Sequence, residues 1–145
     1  MPEETMDVEK QIECLNKALR LQHRSVLHYS LVAGSVIGLE YQAHAEKMRE
    51  HSLSELEDAT RLVEKIAALG GEPTTEVADL PFHAEPEEEI EALIDHETKT
   101  IEALQGVIPP SGQEGRSEAL EHRLEHMIMR KQEQVDYLLR ARRRP

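Results

Sequence analysis

The sequence has no tryptophan, a single cysteine and one phenylalanine, and aromatic residues make up only 3% of it. Lone Cys14 excludes an intramolecular disulfide, so the core must hold the fold without cross-links. Few aromatics and few β-branched runs leave little material for strands, and abundant Leu, Ala, Glu and Arg favour helices. Basic residues are in deficit, with 17 Lys and Arg against 29 Asp and Glu and a formal charge of −12. That balance argues against nucleic acid as a general partner, because phosphate binding needs a basic surface. The exception is the run Arg140-Ala141-Arg142-Arg143-Arg144. It reads as a solvated helix end whose cations suit the last carbonyls, with a docking tail as the alternative. No apolar run approaches the ~20 residues of a membrane span, so no membrane is expected. The opening residues MPEETMDVEK are acidic and polar, unlike a signal peptide. The expected location is the cytoplasm. At 145 residues, a single domain over 1–145 is expected.

What is present is helical periodicity. A first helix over about 6–37 carries Ile12, Leu15, Leu19, Val26, Tyr29 and Leu31 at spacings of three and four. Gly34 and Gly38 mark its end. A second helix over 40–69 has Tyr41, Met48, Ala59, Leu62 and Ile66 on its apolar face, and Gly70-Gly71 and Pro73 stop it. Residues 70–86 read as a loop with three prolines, long for a connection inside one domain. A loop of that length can run along a bundle, with Val77, Leu80 and Phe82 packed across its outside. Pro86, followed by Glu87-Glu88-Glu89, opens a third helix to about 107. Pro109-Pro110-Ser111-Gly112 breaks it. A fourth helix over 117–142, capped by Ser117, carries Leu120, Leu124, Met127, Ile128, Val135 and Leu138. Two antiparallel pairs joined by one long crossover between helices two and three are expected: an all-α four-helix bundle.

Each apolar stripe is broken near mid-length by polar residues. Gln22 interrupts the first, and His51, Glu55 and Asp58 the second. Glu97 interrupts the third, and Lys131 and Gln134 the fourth. Their spacing puts them on the buried faces, where they could meet at one level. Glu55-Leu-Glu-Asp58 is one residue short of Glu-x-x-His, which binds one iron of a di-iron pair in such bundles.

The first two helices resemble the bacterioferritin branch of the ferritin-like superfamily. The likeness is carried by Leu15-Asn16-Lys17-Ala18-Leu19, by Tyr29, and by Ala59-Thr60-Arg61-Leu62-Val63-Glu64-Lys65-Ile66 leading into Leu69-Gly70-Gly71-Glu72-Pro73. The last helix matches weakly through Gln134-Val135-Asp136-Tyr137-Leu138, and the third by pattern alone. The resemblance implies a ferroxidase site built from Glu, Glu-x-x-His, Glu and Glu-x-x-His on successive helices. Carried over, these positions fall on Gln22, on Glu55 and Asp58, on Glu97, and on Lys131 and Gln134. Only Glu55 and Glu97 keep the family's residue. The family's axial haem ligand falls on Leu56, so haem is not expected.

Two ferrous ions bring four positive charges, which four carboxylates would balance. Here three carboxylates would face one ammonium. Lys131 cannot ligate while protonated, and its charge repels a cation. It is expected to stand in for the metal, paired with Glu55, Asp58 or Glu97, while Gln22 and Gln134 bond to what remains. The alternative is one atypical iron or zinc held by His51, Glu55, Asp58 and Glu97. His122 and His126, at i and i+4, form a second possible clamp; His23, His28, His44, His83 and His96 show no ligand spacing. Two functions follow. One is a non-catalytic structural or interaction protein with a degenerate di-iron site, paired as a homodimer through its first two helices, as the resemblance implies. The other is an iron- or zinc-binding protein for storage, oxidation or sensing. With no fifth helix after the fourth, a cage is less expected than a dimer.

Overall fold

A computed structural model describes residues 5–108, 112 and 114–142. The expectations for residues 1–4, for Pro109, Pro110 and Ser111, and for Arg143 and Arg144 lie outside them. Four helices follow in order: α1 (Val8–Ser35), α2 (Leu39–Ala68), α3 (Pro86–Gln105) and α4 (Gly115–Ala141). There is no strand among the described residues. None of these helices is long and apolar enough to cross a membrane. Helix α1 packs on α2 and α3, and α4 on α3 and α2.

The ends follow from local chemistry. Asp7 caps α1, its carboxylate accepting the Lys10 N–H. Gly38, at φ +122°, turns the chain into α2. Gly70, at φ +85°, ends α2 in a Schellman motif: its N–H bonds to Ala67 O, and the Gly71 N–H to Ile66 O. Helix α4 starts earlier than its sequence suggests. Glu114, not Ser117, is the N-cap residue, and Ser117 turns inward to accept the Gly112 N–H at 2.8 Å.

The core lies in two apolar clusters. One holds Leu15, Leu19, Leu62, Ile66, Leu104 and Leu124. The other holds Tyr29, Val32, Tyr41, Met48, Leu93 and Leu138. Leu31, expected on the apolar face of α1, is instead 37% exposed.

The crossover over 70–85 runs along α1, and polar links hold it. Asn16 donates to Glu72 O and accepts from Thr74 N, and the Ala78 N–H donates to Arg20 O. Ala78 is the residue it buries, while Val77 and Phe82 stay exposed. The strap is thus fixed by backbone groups that need partners more than by the larger apolar side chains.

Candidate functional site

Between the two apolar clusters lies a layer of buried polar side chains. Gln22 and Ser25 come from α1, Glu55 from α2, Glu97 from α3 and Lys131 from α4. Lys131, Glu55, Glu97 and Gln22 have no exposed surface at all. Each sits three or four residues from a core apolar residue (Leu19 for Gln22, Ala59 for Glu55, Leu93 for Glu97 and Met127 for Lys131), so the stripe that packs the bundle also aims these groups inward.

Lys131 is the centre of the layer. Its Nζ donates to Glu55 Oε1 at 2.5 Å and to Glu97 Oε2 at 2.9 Å, with Ser25 Oγ at 3.3 Å. Gln22 Nε2 donates to Glu55 Oε2 at 3.1 Å and to the Glu55 carbonyl at 2.9 Å. The Ser25 hydroxyl donates to Glu97 Oε1. Tyr29 OH lies 3.3 Å from Glu97 Oε2 and 3.5 Å from Gln134 Oε1.

The protons follow from this packing. Burial pushes Glu55 up to about 8; Lys131 opposes that shift, and the Glu97 charge adds to it. Burial alone would raise Glu97, but Lys131 and the hydrogen bonds from Glu55 and Ser25 hold it below the ordinary carboxylate value. Burial alone would lower Lys131, but its two carboxylates outweigh that and raise it. At neutral pH the trio therefore holds one ammonium, one carboxylate and one carboxylic acid, and is neutral overall. A neutral cluster is the arrangement that a low-dielectric interior tolerates.

A raised Glu55 contributes stability that is complete below pH 4.5 and lost as pH rises through about 8. His28, His51 and His96, lowered mainly by burial, act with the opposite sign, and an unfolded imidazole keeps part of its proton up to about pH 7.5. Between about pH 7.5 and 8 the Glu55 effect is thus free of theirs. Unfolding free energy should fall there by about 1 kcal/mol per pH unit. Urea denaturation across that window checks it, and Glu55→Gln should flatten the slope.

The other sequence-predicted residues are divided. Asp58 is buried in the same helix face but pairs with Arg130, not Lys131. Arg130, whose side chain is partly exposed, ties α4 to α2 through that pair. Gln134 meets Tyr29 rather than a carboxylate. His51 is buried between the ring edges of Tyr29 and Tyr137, and its Nδ1 has no partner. His122 and His126 are exposed. No group of three or more His, Cys, Asp or Glu side chains among the described residues is arranged to hold a metal ion. Ser25 and Arg130 were not singled out from the sequence. Ser25 had a signal, three residues after Gln22 on the same stripe; Arg130 reads as an ordinary surface arginine.

Four helices, one long crossover and a carboxylate layer at mid-bundle define the class, a ferritin-like bundle. The chain belongs to the Ferritin family, whose ferritin-like domain matches residues 12–141. It is similar to a solved ferritin-like, diiron-carboxylate protein from Bacillus anthracis str. Ames, at 27% identity and a TM-score of 0.86, over 92% of this chain and 96% of that one. It shares its fold with Rhodobacter capsulatus bacterioferritin, at 23% identity and a TM-score of 0.76, over 90% of this chain and 81% of that one. That bacterioferritin structure is described as having a metal-free dinuclear site and haem iron. No curated protein matches the sequence.

The layer does not fit two iron ions. A protonated amine sits between the two family-type carboxylates and offers no lone pair. Two amides and an arginine-bound aspartate fill the remaining positions, so the carboxylates left do not balance four positive charges.

Proposed function

We propose that this is a ferritin-like protein whose di-iron centre has been replaced from within by the Lys131 ammonium, and that it works as a non-catalytic structural or interaction protein. The observation that supports it is the position of Lys131 Nζ, in contact with Glu55 and Glu97 together. An internal cation serves the bundle as metal would: it offsets buried carboxylates and ties α2, α3 and α4 together. It has no vacant coordination position and no redox chemistry. The protein carries neither metal nor haem in this reading. Leu56, at the family's haem-ligand position, has no group that binds iron.

The bundle acts as a homodimer, paired through α1 and α2. Leu27, Leu53 and Leu56 are large apolar residues left 46%, 65% and 52% exposed on those two helices. Leu27, Leu56 and Val77 line one apolar groove there. Contiguous exposed apolar surface of this kind marks an interface. The reading places the protein in the cytoplasm, where reducing conditions suit one free cysteine.

Light scattering should give twice the chain mass, and Leu56→Glu should halve it. Adding Fe²⁺ to the air-equilibrated protein should consume oxygen no faster than adding it to buffer. Rapid uptake scaling with protein concentration would overturn the non-catalytic reading.

A further inference from the structure

A second buried polar group lies outside the layer, where α1, α3 and the crossover meet. His28 on α1 is fully buried, and Glu89 in the first turn of α3 is 1% exposed. His28 Nε2 lies 3.4 Å from Glu89 Oε1, and His28 Nδ1 lies 3.1 Å from Nδ1 of His96, two turns further along α3. Two ring nitrogens at that distance share one proton between them. With Glu89 ionised, His28 donates from Nε2 to the carboxylate and accepts at Nδ1 from His96. One turn before His28, Arg24 donates to the carbonyl of Asp79 in the crossover at 3.1 Å. The neighbouring Ala78 N–H bonds to Arg20 O at 3.2 Å. The tie between α1 and α3 and the tie between α1 and the crossover are therefore adjacent.

We propose that the Glu89–His28–His96 bridge is an acid-sensitive latch on the crossover: it absorbs one proton without changing its contacts, and a second proton releases the strap around Ala78 from α1. The first proton goes to Glu89, which burial raises above the ordinary carboxylate value. The carboxylic acid then donates to His28 Nε2, and His28 donates from Nδ1 to His96, so both contacts survive as a reversed hydrogen-bond chain. The next proton has no neutral place. His28 faces Arg24 from its own helix, His96 and Glu97 from α3, and His83 from the crossover. Arg24 is a cation already, and His96 is occupied as the acceptor from His28 Nδ1. Glu97 is held by Lys131 and Ser25. An imidazolium at His28 therefore lies in a dry site beside an arginine, and opening the strap lets water reach it.

The sign is that of a base lowered by folding. His28 moves from 6.5 to about 4, mainly through burial and then through His96. Its contribution is complete above pH 6.5 and is lost as pH falls toward 4.

Hydrogen exchange of the Ala78 amide, corrected for intrinsic rates, tests the latch at neutral pH and at about pH 4.5. Protection in the native chain should fall by about tenfold or more between the two. His28→Gln can still bond to Glu89 and does not titrate, so its protection should change less than about twofold. His51→Gln, which removes another buried histidine away from the crossover, should leave the acid release intact. An NMR titration of the His28 ring in the native chain gives a second readout that needs no variant. The ring should stay neutral until Ala78 protection is lost. Protonation of His28 near its ordinary value with Ala78 still protected would overturn the latch, as would equal acid release in His28→Gln.

Discussion

Lys131→Met should destabilise the folded chain by about 3–5 kcal/mol at neutral pH, the cost of leaving one partner of a buried pair without the other. Methionine is close in length and apolar, so the change removes charge with little change in volume. Glu97 then loses the attraction that most lowers its pKa, and Glu55 loses the one cation in contact with it. Glu55 is already a carboxylic acid at neutral pH, so Glu97 is left as a buried carboxylate with no cation, and the variant folds only by taking up a further proton there. Its deficit should therefore shrink as pH falls toward 5. Urea denaturation at pH 7 and at about pH 5 measures both. A neutral effect at pH 7 would mean that Lys131 does not hold the layer together.

Lys131→Glu carries the larger contrast. It places a third carboxylate beside Glu55 and Glu97, with no internal cation to offset them. Without added metal the variant should be less stable than Lys131→Met. A divalent cation such as Mn²⁺, which prefers oxygen ligands, should then stabilise it. A ligand that binds only the folded state at about 100 times its Kd contributes about 2.7 kcal/mol, readily seen as a rise in Tm. The native chain, whose cation is already in place, should melt at the same temperature with and without Mn²⁺. A native chain stabilised as strongly as the variant would show that the layer accepts metal beside or instead of Lys131.

Much of the bundle was legible in the sequence, because helical periodicity and terminal signals are local. Gly70-Gly71 encodes its Schellman stop outright. Gln22, Glu55, Glu97 and Lys131 could be placed at one level because each replaces a core residue in an apolar stripe. The partner of Asp58 could not be read. Periodicity assigns a side chain to a face, but Arg130, partly exposed, reaches its partner with a long flexible stem. The Glu89–His28–His96 bridge was not legible either. Its members lie 61 and 68 positions apart on two helices, and no spacing within one helix announces it. The strap shows a third kind of gap. Val77 and Phe82 looked like its anchors by size, yet Ala78 is the residue held, because its N–H finds a helix carbonyl.

The most direct measurement is iron per chain after anaerobic dialysis against Fe²⁺ and removal of free metal, with the native chain and Lys131→Glu side by side. If the Lys131 ammonium stands where metal charge would be, the native chain retains no iron above buffer and the variant retains some. Two irons per native chain would contradict that substitution directly.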